Sequence, residues 1–151
     1  PTRESPHVVI LVDLNEEPYG ILEERLNAAR FRAHSRRREH YTDRQMKRMR
    51  LYNCSWRFLG EREPHRGTAP ANQTAGTFFW QREQTWHTFD HVIVTGSLLT
   101  DRRPFLDEES LAVAVHPAII KDDGRPRPFR WNAGKPQGVS DHLPVLGRLV
   151  L

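Results

Sequence analysis

Cysteine is nearly missing from this chain: Cys54 is the only one in 151 residues. A lone cysteine excludes an intrachain disulfide framework and a cysteine-based zinc cluster. It is compatible with a reducing compartment, and the cytoplasm is the expected location. Lysine is scarce as well. Lys47, Lys121 and Lys135 are all there is, so arginine carries nearly all the positive charge. No apolar run approaches the length needed to cross a bilayer, so no transmembrane segment is expected. A basic–apolar–small signal pattern is also lacking at the start, and residue 1 is proline, so a fragment or a processed form is expected.

What is present suits one soluble domain with a modest core and long polar loops: 37% hydrophobic and 28% charged residues. The net charge is +4. A basic chain favours phosphate-bearing partners, with codon-driven use of arginine as the plain alternative.

The run "HVVILVDLN" is short, apolar and β-branched, which predicts a buried strand with Asp13 and Asn15 at its C-terminal end. "YGILEERLNAARF" places Leu22, Leu26 and Ala29 at helical spacing. Thr42 and Gln45 fit a capping box for a second, short helix with Met46 and Met49 on one side. Residues 60–76 form a long polar loop. "TFFW" and "FDHVIVTG" read as two strands with a polar connection, and "LAVAVHP" as another, stopped by Pro117. "KDDGRPRPFRWNAGKPQG" reads as a second long basic loop leading to "GVSDHLPV" and a terminal strand.

Polar groups thus stand at three strand ends: Asp13 with Asn15, Asp90 with His91, and Asp141 with His142. A charge beside an apolar run is costly unless it is paired or bound to a cation. Turns use Asp and Asn freely, so a single such residue carries little weight. Three on separate elements suggest a site. Along a strand His91 points away from Asp90, which makes it structural or surface rather than catalytic.

Taken in order, "VDLNEEP", "GTFFW…TFDHVIVTGSLL" and "GVSDHLPV" resemble the C-terminal half of the endonuclease/exonuclease/phosphatase (deoxyribonuclease-I-like) superfamily, and "RLYNCSWRFLGERE" looks like a bacterial subgroup of it. The resemblance covers nearly the whole chain. Val12 stands where the family usually has Gly, and Leu14 where Phe is common. The superfamily domain is about twice this length, and its N-terminal half supplies an Asn, a metal-binding Glu and a second active-site His. That half is absent from residues 1–151, so the chain is expected to carry only the second half of the site.

The resemblance implies an α/β fold: half of a layered α/β sandwich with two packed mixed β-sheets and outer helices. It implies a divalent-metal-dependent phosphoesterase using magnesium (or manganese). Asp141 would bind or orient the metal and its water. Asp13 would position or deprotonate the attacking water, and the Asn15 amide would hold a phosphate oxygen. His142, oriented by Asp90, would contact the scissile phosphate. Such chemistry suits these residue types, since magnesium takes hard oxygen ligands and a carboxylate on one imidazole nitrogen fixes the tautomer.

The expected partners are a phosphate-ester substrate, with nucleic acid favoured by the charge, and the missing N-terminal half. Trp80, Trp86 and Phe89 are candidates for stacking on a base or sugar, against the commoner role of such residues as core or rim. Arg125, Arg127 and Arg130 are candidates for phosphate contact, against a solvated loop. Cys54 is expected to be buried and inert. The alternative function is a non-catalytic fragment, or a basic nucleic-acid-binding module, that keeps the fold without the chemistry.

Overall fold

The computed structural model describes residues 7–19, 28–29, 51–59 and 75–151. Ten strands occur there: β1 (Val9–Asp13), β2 (Ala28–Ala29), β3 (Leu51–Asn53), β4 (Phe78–Trp80), β5 (Thr85–His87), β6 (Asp90–Thr95), β7 (Phe105–Val113), β8 (Arg130–Asn132), β9 (Lys135–Gln137) and β10 (Val145–Val150). Two 3-10 turns, Cys54–Phe58 and Gly96–Leu98, are the helical elements among the described residues. None is long and apolar enough to cross a membrane.

The strands form one four-stranded sheet, β1-β6-β3-β2, and three two-stranded ones, β10-β7, β4-β5 and β8-β9. Every pairing is antiparallel except β2 with β3. This corrects the expected layered α/β sandwich with outer helices. The described residues build small, mostly antiparallel sheets without an α-helix. The physical reason lies in the connections: β4–β5 and β8–β9 are tight hairpins, which pair neighbours antiparallel and need no crossover helix. Of the two expected helices, residues 42–49 lie outside the described residues. So does most of 19–31, of which Ala28–Ala29 is strand.

β6 is the centre of the large sheet. Val92 and Val94 on one face join Cys54, Phe58, Leu98, Leu99, Leu106 and Leu111 in the main core. Ile93 on the other face packs with Leu51, Ile10 and Leu14. Cys54 is buried, 1% exposed. β1 was expected to be buried; instead it lies at the sheet edge with Val9 and Leu11 outward, Leu11 being 73% exposed.

Further corrections concern strand boundaries. β7 starts at Phe105 and ends at Val113, earlier at both ends than the apolar run 111–117 suggests. The polar connection before β6 contains β5, and the basic loop contains the β8–β9 hairpin.

Candidate active site

The register of β1 against β6 sets Asp13 directly opposite Asp90. Opposed residues of an antiparallel pair share a face, so two carboxylates meet at one end of the sheet. Like charges so placed repel. Between them comes His142: its Nδ1 donates to Asp90 Oδ2 at 2.8 Å, and its Nε2 lies 3.9 Å from Asp13 Oδ2. That second gap is too wide for a direct hydrogen bond.

Each partner is held from behind. Strand β1 ends because Asn15 adopts a left-handed conformation (φ 51°), and its backbone N–H donates to Asp13 Oδ1 at 2.9 Å. The Asn15 side chain is exposed. Asp90 is pinned through its backbone: Thr77 Oγ1 accepts from the N–H groups of Phe89 and Asp90, each at 3.2 Å, and Ser55 Oγ donates to the Asp90 carbonyl at 3.3 Å.

His142 is carried by the segment 138–145. Gly138 opens it with φ 72°, and a Cβ there would run into the Pro128 carbonyl. The N–H groups of Val139 and Ser140 both donate to the Arg127 carbonyl, at 2.8 and 3.2 Å. His142 N–H then donates to Ser140 Oγ (3.0 Å), and Leu143 N–H to the Thr77 carbonyl (2.7 Å). Thr77 therefore ties the Asp90 strand to the His142 segment. Phe78 supports the imidazole, its ring 4.7 Å from that of His142 and stacked on Phe89 at 5.3 Å.

Asp141 points elsewhere. It is exposed and lines a groove with Phe78, Trp80 and Arg125. Asp141 stands at a bend, outside the group of ligand atoms that Asp13, Asp90 and His142 bring within 4.8 Å of one another. The structure thus brings together Asp13, Asp90 and His142, with Asn15 as a backbone support, and sets Asp141 apart from that cluster.

His91 faces away from Asp90 and is 2% exposed. Its Nδ1 meets Asn53 Nδ2 at 3.0 Å and its Nε2 the Glu16 carbonyl at 2.9 Å. Sequence reasoning passed over Ser55 and Thr77, whose hydroxyl groups bond to partners 12 to 37 residues away. It also passed over Glu17, whose carboxylate pairs with His87 Nδ1 at 2.9 Å and accepts from Thr88 N–H at 3.2 Å.

Asp13, Asp90 and His142 offer ligand atoms within 4.8 Å of one another. With Asp90 Oδ2 engaged by the imidazole, the more open carboxylate is Asp13, 41% exposed. One or two carboxylates, with water and a substrate phosphate completing the shell, are the donors magnesium favours. Two carboxylates and an imidazole so grouped could hold a metal ion. Comparison with protein-family models, curated proteins and solved structures gives no match, so the chemical meaning of the cluster rests on its own geometry.

Proposed function

We propose that this chain carries part of the site of a divalent-metal-dependent phosphoesterase, with nucleic-acid phosphodiesters the favoured substrates. The observation that carries this reading is the cross-strand carboxylate pair with an imidazole between its members. Packing gains nothing from two opposed carboxylates; a site that must place a base beside an anion-binding imidazole does. The resemblance of the three sequence blocks to the endonuclease/exonuclease/phosphatase superfamily adds to it.

In this reading a magnesium or manganese ion beside Asp13 would neutralise phosphate charge. Asp13 Oδ2 orients the attacking water and takes its proton, while the Asn15 backbone N–H keeps the carboxylate turned toward it. Asp90 holds Nδ1, which leaves Nε2 as the nitrogen facing the substrate; the imidazolium form donates there to a phosphate oxygen. By the resemblance, the Asn15 amide would hold a phosphate oxygen.

The test is hydrolysis of a small aryl phosphodiester and of plasmid DNA, with magnesium and with EDTA. Asp13→Asn and His142→Asn are each expected to lose about 10²- to 10⁴-fold in rate. Turnover that survives EDTA, or that is unchanged in His142→Asn, sinks the proposal; no turnover under any metal favours the binding-module alternative. Asp141→Asn separates two roles. A rise in the magnesium needed for half-maximal rate places Asp141 on the metal; unchanged magnesium dependence with altered substrate affinity places it in the groove.

A further inference from the structure

β4, its turn and the loop before β8 enclose a groove of about 300 Å³ beside the cluster. Its walls combine two chemistries. Phe79 and Trp80 are aromatic, Arg82, Arg125 and Arg130 are cationic, and Asp141 is the one carboxylate among the lining residues. Trp80 is 42% exposed. Its ring sits edge-on to Phe78 at 5.8 Å, and Phe78 packs on His142, so aromatic rings run unbroken from the groove to the imidazole. The Arg125 guanidinium lies 4.5 Å over the Phe79 ring and is steadied by Asp123 at 3.5 Å. Arg82 and Arg130 have no acidic partner among the described residues.

Exposed aromatic faces beside unpaired guanidinium groups match a ligand with a flat π-surface and phosphates. Inositol phosphates lack the first, and a lipid tail would find only Pro126 and Pro128 as aliphatic lining. A base-paired duplex hides its π-faces in the stack, and a groove of this volume admits one base.

We infer that the groove seats an unpaired nucleotide of a single-stranded nucleic acid, its base on Trp80 and its phosphates on Arg82 and Arg130. The inference deepens the phosphoesterase reading and rests on it only for the fate of the adjoining phosphate, which this seating brings toward His142.

Fluorescence anisotropy of labelled oligothymidylate, oligouridylate and a duplex of equal length, all in EDTA, tests it. Single strands are expected to bind more tightly than the duplex. Trp80→Ala is expected to weaken them about five- to 150-fold, the range given by stacking one base, and Trp80→Phe to restore most of the loss. Arg82→Gln and Arg130→Gln should each lower the slope of log affinity against log salt by about 1. The oligouridylate arm assigns the strand to RNA or DNA, either of which sustains the inference. Duplex binding as tight as single-strand binding, or a neutral Trp80→Ala, overturns it. Strand binding without magnesium-dependent hydrolysis of the small diester keeps the groove and removes the phosphoesterase reading. Hydrolysis without strand binding does the reverse.

Discussion

Asp90 and His91 are adjacent in the chain and opposite in circumstance, because successive strand side chains face opposite sides. Asp90 faces the open end and holds His142; His91 is sealed on the other face. The protonation of His91 follows from its neighbours. Asn53 Oδ1 accepts from Ser55 N–H at 3.0 Å, so the other end of that amide, a donor, meets His91 Nδ1. Nδ1 must then accept, and Nε2–H donates to the Glu16 carbonyl. This ring is satisfied only when neutral. Burial accordingly lowers its pKa below the usual 6.5, against the opposing pull of the Glu16 carbonyl and of Asp90, Glu17 and Asp13. Between the lowered folded value and about 6.5, the unfolded chain binds the extra proton, so stability rises with pH across that window. Acidification from neutrality through about 6.5 should lower the thermal midpoint, and His91→Gln, which does not titrate, should flatten the dependence. An equal slope in the variant would show that His91 is not the source of the dependence. At this scale the candidate site was partly legible, since a charge ending an apolar run is costly and so conspicuous. Ser55 and Thr77 were not. Small polar residues suit any turn, and only the folded chain shows which distant N–H they meet.

At the scale of elements, the site is a consequence of register and of one strand start. β1 and β6 pair so that Asp13 opposes Asp90, and a slip of one residue would put the two carboxylates on opposite faces. Their repulsion is a cost the fold carries. Asp13→Asn should therefore raise stability in urea by about 0.2–1 kcal/mol while activity falls; lowered stability would show that the pair is structural. Thr77, fully buried at the start of β4, holds the other two participants. Thr77→Val removes the acceptor for Phe89 and Asp90 and should cost about 1–3 kcal/mol. The turnover number should drop about tenfold or more through misplacement, with KM little changed, and Thr77→Ser should restore most of it. A drop in KM-dependent rate alone would argue against a positioning role. Strands with strong apolar β-branched content, β1, β6 and β10, were legible. The β8–β9 hairpin was not, because Pro126 and Pro128 just before it and Pro136 within it, set among arginines, read as loop. Its turn depends on Ala133 and Gly134, with φ of 49° and 75°, and alanine gives no warning of a left-handed conformation.

For the whole molecule, the polar site and the apolar surface meet on β1. The same strand that presents Asp13 at its end exposes Val9 and Leu11 along its length. β1 is a terminal strand of its sheet among the described strands. Neither lysine nor proline guards that edge: its sequence is VILVD. Edge strands protect themselves with charge, proline or bulges, and one without them is a template for another strand. β10 adds Leu146 and Leu149, 56% and 43% exposed, although Arg148, bonded to Asp107 at 2.8 Å, breaks that patch with a charge. The contrast between the two edges makes β1 the stickier one. The chain should accordingly self-associate as its concentration rises, and Leu11→Lys should shift it toward the monomer. Because Leu11 already faces outward, the lysine disturbs no packing, and the thermal midpoint at low concentration should stay unchanged. Light scattering over a concentration series reads the effect directly. A wild-type chain that stays monomeric throughout would mean that this edge is covered in solution. Association undiminished by Leu11→Lys would place the contact on β10, where Leu146→Lys is the matching variant.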